Sequence, residues 1–87
     1  MDKEKTTLFE LDDLNKEEIR SNLNEIMDAL SERGYNPINQ IVGYLISGDL
    51  GYISSHKGAR KKMQSMDRAR IVEVLLKEFE REERWDI

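Results

Sequence analysis

The 87 residues of this chain include no cysteine, one proline and one histidine, and each scarcity removes a possibility. Without cysteine there is no disulfide framework, and a single histidine leaves too few ligands for a structural zinc site. Aromatic residues make up 7% and hydrophobic residues 38% of the chain, a thin supply for a monomeric core. Small domains often supplement such a core by oligomerising. No apolar run approaches the roughly eighteen residues that a bilayer span requires. The start, MDKEKTTLFELDD, is charged rather than apolar, unlike a secretory signal. The expectation is one soluble, cytoplasmic domain, without cofactor or metal and without membrane insertion.

Charge, by contrast, is abundant: 37% of residues carry it, and the formal net charge is −4. Its distribution says more than its sum. Residues 1–18 hold three Lys/Arg against seven Asp/Glu, and residues 71–87 hold three against six. Between them, residues 56–70 reverse the sign, with Lys57, Arg60, Lys61, Lys62, Arg68 and Arg70 opposed only by Asp67. The chain is acidic at both ends around one basic island.

Fifteen consecutive residues, Gly34 to Gly48 (GYNPINQIVGYLISG), carry no charge at all. By composition, about five or six charges would be expected there. Ile38, Ile41, Val42, Leu45 and Ile46 recur at helical spacing and share one face. Pro37 suits the first helical position, Asn36 can cap the helix, and Gly48 is a fitting stop. The opposite side carries Asn39, Gln40, Gly43 and Ser47, small or uncharged groups that a second helix could approach closely. By periodicity alone the segment is either the middle of a monomeric core or part of a subunit interface.

Two further helices are legible. From about Asn15 to Arg33, the residues Ile19, Leu23, Ile26, Met27 and Leu30 repeat at helical spacing. Asn15 and Glu18 are placed like a capping box, and Gly34 serves as the stop. From about Asp67 to Arg84, Ile71, Val74, Leu75 and Phe79 form another stripe, capped by Asp67. Between them, GDLGYISSHKGARKKMQSM predicts a loop over Gly48–Ser55 and a short helix over Ala59–Ser65, anchored by Tyr52, Ile53, Met63 and Met66. Residues 1–14 have no helical period and read as a flexible N-terminal arm, able to dock through Phe9 and Leu11. The fold class is therefore all-α: three longer helices plus one or two short ones in a single helical domain, residues 15–87, behind an arm of residues 1–14.

The run Gly34–Asp49, preceded by Phe9-Glu-Leu-Asp-Asp13 and followed by Tyr52-Ile53, Ser55-His-Lys57 and Ala59-Arg60, resembles the IreB family of bacterial regulatory phosphoproteins over roughly residues 6–80. The resemblance implies a small, all-helical, non-enzymatic cytoplasmic protein of Gram-positive bacteria that forms a homodimer. It shifts the balance for the uncharged helix, with Ile38, Ile41, Val42, Gly43, Leu45 and Ile46, toward interface. It also implies phosphorylation by a membrane serine/threonine kinase, reversed by a phosphatase, in signalling tied to cell-wall stress and antibiotic resistance, with a downstream protein still to be named. The family's phosphoacceptor stands three residues before the phenylalanine of F-x-L-D-D, which is Thr6 here, with Thr7 adjacent. This chain departs from the pattern in having Lys3 and Glu4 where a second threonine can stand, and Leu50-Gly51 where Pro-Ala is common.

The remaining chemistry-bearing residues have plain readings. His56 beside Lys57, with no second histidine, is an exposed or capping residue rather than a ligand or base. Asp12, Asp13, Glu17 and Glu18 sit where a helix dipole favours acids. The basic island allows two partners. Lys57, Arg60, Lys61 and Lys62 could receive a phosphate, including one on the chain's own arm, through charge-assisted hydrogen bonds. The alternative function is a small nucleic-acid-binding protein using residues 57–70. Against it stand the long connection between the helices and a net charge that repels DNA.

Overall fold

A computed structural model describes residues 2–84, with side chains described for residues 15–82. Its elements are four α-helices, α1 (Asp2–Glu32), α2 (Pro37–Ser47), α3 (Ala59–Gln64) and α4 (Arg68–Arg84), with 3-10 turns at Leu50–Tyr52 and His56–Gly58. There is no strand among the described residues. The all-helical expectation, with three longer helices and one short one, therefore holds. The expected arm, residues 1–14, is not a separate segment: from Asp2 its backbone continues α1, while its side chains lie outside those described. Asn15 and Glu18 stand within α1 rather than at its start. No glycine or proline between Asp2 and Arg33 interrupts that helix.

The helix ends follow local chemistry. Gly34 adopts φ +83°, a conformation that costs glycine no Cβ clash. There its N–H donates to Ser31 O (2.9 Å) while Tyr35 N–H donates to Leu30 O (3.0 Å), the paired bonds of a Schellman stop. Two residues on, Asn36 opens α2 by accepting Asn39 N–H on Oδ1 (3.1 Å), with Pro37 at the first turn, where a missing N–H costs nothing. Asp49 likewise accepts Gly51 N–H (2.8 Å) to start the first 3-10 turn, and Asp67 accepts Arg70 N–H (3.1 Å) to start α4.

The core gathers one arc from each helix. Both α2 and α3 pack against α1, and α4 meets α1 as well. Ile26, Leu30, Ile53, Met63, Ile71 and Val74 are fully buried. Each such side chain contributes about 1.5–3 kcal/mol relative to exposure. The α1 stripe is buried as its spacing predicts, with Met27 partly covered. Tyr44, which the isoleucine spacing passes over, is also buried, one turn beyond Ile41.

The expected α4 stripe needs correction. Ile71 and Val74 are buried, but Leu75 and Phe79 are exposed. The inward arc of α4 continues instead through Glu78, whose carboxylate reaches Arg20 of α1 at 3.6 Å. Leu75 and Phe79 lie around the helix from that arc, so a single helix packed on one side cannot bury both sets.

Candidate functional site

The basic island folds back onto acids of its own chain. Lys57 Nζ donates to Glu32 Oε2 (2.8 Å), and His56 Nε2 lies 2.7 Å from Glu32 Oε1. Lys57 holds φ +51°, a left-handed conformation that is uncommon outside glycine, and this directs two consecutive side chains to one carboxylate. The hydrogen bond from Lys57, and then that from His56, hold the Glu32 carboxyl below the usual carboxylate range. Lys62 Nζ meets Glu25 Oε1 at 3.1 Å. Arg60 Nε donates to Ile53 O (2.8 Å).

Farther along, Arg68 donates to Leu45 O (3.1 Å), and its guanidinium packs on Gly48, tying the start of α4 to the end of α2. Arg70 pairs with Glu73, which keeps the Glu73 carboxyl below its usual range. Of the four cations proposed for phosphate, Lys57, Arg60 and Lys62 are thus occupied, while Lys61 is exposed and makes no ion pair among the described residues. The groove beside them, about 250 Å³, is lined by Glu25, Asp28 and Glu32 as well as Lys57 and Lys62. An incoming phosphate or nucleic-acid backbone would have to displace these carboxylates.

The uncharged helix divides differently from its sequence pattern. Ile41 is buried and Leu45 packs against the core, but Ile38 (58% exposed), Val42 (46%) and Ile46 (81%) form an outward strip at successive turns. Gly43 was expected on a side open to a second helix. In the structure that side is covered by the chain's own connection: a Cβ at Gly43 would stand 2.5 Å from Cδ1 of Tyr52. Gln40 Oε1 accepts Ser54 N–H (3.2 Å), and Ser47 Oγ both donates to Gly43 O (2.7 Å) and accepts Asp49 N–H (3.0 Å). Gln40, Gly43 and Ser47 of α2 thus meet the segment that follows the helix, while Asn39 stays exposed.

A second outward apolar strip lies on α4, at Val72, Leu75, Leu76 and Phe79. Sequence spacing had assigned Leu75 and Phe79 to the core and had not singled out Val72 or Leu76. The signal available was that α4 has apolar residues on more of its circumference than one packed arc needs. Together with Tyr35 and Tyr52, these two strips hold the large exposed hydrophobic residues, and the described part of α1 contributes none. Thr6 and Thr7 lie outside the residues described with side chains.

No helix among the described residues is long and apolar enough to cross a membrane. The one histidine is bonded through its ring to Glu32, and its backbone N–H donates to Ser54 Oγ (3.1 Å). The fold and its surfaces define a small all-helical domain with one self-paired charged side and two uncovered apolar strips. The chain belongs to the IreB regulatory phosphoprotein family, whose pattern it matches over residues 4–80. That span includes Thr6 and Thr7, the Phe9–Asp13 motif, the uncharged helix and most of α4.

Proposed function

We propose that the protein is a non-enzymatic, cytoplasmic regulator that acts as a homodimer and is switched by phosphorylation of Thr6, with Thr7 as the secondary acceptor. A membrane serine/threonine kinase and its phosphatase set the modification, in signalling of cell-wall stress. The observation that carries this reading is the family match over residues 4–80, which takes in both threonines and the motif that follows them. The strip Ile38–Val42–Ile46 supports the dimer: an uncharged, uncovered helix face is what a two-fold axis can pair with its own copy.

For the switch, the occupied cations favour release of the arm over docking on the basic island. A phosphothreonine adds close to two negative charges to a segment already bearing Glu10, Asp12 and Asp13. To dock, it would compete with Glu32 and Glu25 for Lys57 and Lys62. Release by local repulsion needs no such exchange. Phosphopeptide mapping after treatment with the cognate kinase tests the assignment: phosphate at Thr6 before Thr7 is expected, and phosphate confined to Ser54, Ser55 or Ser65 would refute it.

A further inference from the structure

The Glu32 clasp holds down a segment that burial does not. Ile53 and Ala59 are fully buried, whereas none of residues 54–58 between them is. Apolar packing therefore fixes the two ends of this segment and contributes little to its middle. Among the described residues, two side chains from elsewhere in the fold reach it. Gln40 Oε1 accepts Ser54 N–H (3.2 Å), and Glu32 accepts from Lys57 Nζ (2.8 Å) while meeting His56 Nε2 (2.7 Å). A segment held by a few polar, exposed contacts can open without the core opening.

Two features set Glu32 apart from an ordinary surface ion pair. It is the last residue of α1, a helix with no basic residue in its last turn, and the carbonyl end of a helix disfavours a carboxylate. Its cationic partner comes instead from the segment that it holds. That segment also carries two successive left-handed residues, Lys57 (φ +51°) and Gly58 (φ +74°). Glycine takes this conformation freely, but lysine keeps it only where its surroundings over-determine it. Here Glu32 supplies that constraint, with one carboxylate oxygen for each of two consecutive side chains.

The same contact neutralises the segment. Arg60 gives its Nε to Ile53 O, a carbonyl rather than a carboxylate, and neither Arg60 nor Lys61 forms an ion pair among the described residues. Lys57 would complete a cluster of three cations within five residues of chain, but its ammonium is taken by Glu32. We infer that Glu32 is an autoinhibitory latch: it keeps residues 54–58 closed and stands in for an anion, so that Lys57, Arg60 and Lys61 bind a phosphate group only when the segment opens.

Phosphate is the ligand class because its nearly two negative charges gain more from three cations than a single carboxylate charge does. In the closed state Glu32 prevails because it is tethered beside Lys57. The phosphate comes from outside the chain: Glu10, Asp12 and Asp13 of the chain's own N-terminal stretch would bring carboxylates to a groove already lined by Glu25 and Asp28. The side chains of Lys57 and Glu32 are both more than half exposed, so an anion in solution can reach them. This inference goes beyond the phosphoprotein reading and does not depend on it.

The test uses the full-length, unphosphorylated chain, isotopically labelled for NMR. Glu32→Ala should raise amide exchange at Ser54, His56 and Gly58 about tenfold while Ile26, Leu30, Ile71 and Val74 stay protected. In titrations with inorganic phosphate it should bind about tenfold more tightly than wild type, with shifts at Lys57, Arg60 and Lys61, and the gain should shrink as salt rises. Glu25→Ala removes the same charge from the same groove without touching the latch, so it should leave exchange at residues 54–58 unchanged and gain little affinity. Adding Lys57→Gln to Glu32→Ala should return phosphate affinity to the wild-type level. Helical circular dichroism should be the same throughout, because all three substituted residues are exposed.

Equal phosphate affinity in wild type and Glu32→Ala, an equal gain from Glu25→Ala, or unchanged exchange at residues 54–58 would overturn the inference. Tighter binding of a phosphothreonine peptide of residues 1–14 than of inorganic phosphate would also overturn it, by making the chain's own arm the ligand. None of these results depends on where the kinase acts, so failure here and failure of the phosphoprotein reading are told apart by separate measurements.

Discussion

Helices α2 and α4 each turn one arc into the core and leave an apolar strip outside, yet the two strips are built from different sequence. The α2 strip lies in a run without charge, and its helix is closed on the other side by Tyr52, Gln40 and Ser47 contacts within the chain. The α4 strip is bordered by charge of both signs, Glu73 and Glu80 with Lys77 among them. Exposure alone does not distinguish them, since Ile46 and Phe79 are both largely uncovered. The border does, because desolvating an apolar seam is favourable in either case while the charges beside it decide which partner can approach.

The largest effects should come from the inward arcs. Ile71→Ala, at a fully buried position of α4, should cost about 2–5 kcal/mol in urea unfolding at fixed protein concentration. Leu76→Ala, on the outward arc of the same helix, should stay within about 0.5 kcal/mol. Similar losses for both would erase the distinction between the two sides of α4.

Association comes next. Ile38→Asp with Ile46→Asp should weaken self-association by about 100-fold in sedimentation equilibrium while helical content is kept, since the new charges are desolvated only in the assembled form. The paired alanines at Leu76 and Phe79 should leave self-association unaltered. If both pairs weaken it equally, the two strips belong to a single interface.

Gly43→Ala tests whether the small residue serves the chain itself. The added methyl must displace the Tyr52 ring, at about 1–3 kcal/mol, and Tyr52→Ala should relieve that conflict, so the double variant loses less than the sum of the singles. A loss unchanged by Tyr52→Ala would place the constraint on Gly43 elsewhere.

The smallest effect belongs to the charged side. The Glu32 carboxyl titrates lower in the folded chain than in the unfolded one, because Lys57 and His56 hold its ionised form. Its contribution is therefore complete above the ordinary glutamate range and is lost as pH falls through the lowered folded value. Thermal melts across acid pH should show wild type above Glu32→Gln near neutrality and the gap narrowing below the ordinary glutamate range. The difference should be modest, since the groups are exposed and screened by solvent.

Much of this architecture is written locally. The stop at Gly34, the Asn36–Pro37 start, the Gly48 end and the Asp67 cap each depend on the conformational freedom or side-chain acceptors of one or two residues. Such features are readable without knowing what packs where. The buried stripe of α1 is equally legible, because three neighbouring helices cover one side of it. The family resemblance, too, rests on consecutive residues and was available from the sequence.

Other features required the fold. The isoleucines and valine of α2 share a face by spacing, but only the position of α1 decides that Ile41 turns inward while Ile38, Val42 and Ile46 face out. The basic island reads as a free cationic surface until residues twenty-five or more positions earlier in the chain supply its carboxylates, as Glu32 does for Lys57 and Glu25 for Lys62. Gly43 likewise reads as an open surface until Tyr52 folds over it.

The sequence by itself determined the helices, their ends apart from the start of α1, the charge segregation and the family, because these arise from interactions within a few residues along the chain. Which apolar arc is covered, which cations remain available and which small residue is in contact were decided by the tertiary structure. They depend on groups remote in sequence meeting in space, and helical periodicity places a residue on a face without saying what that face will touch.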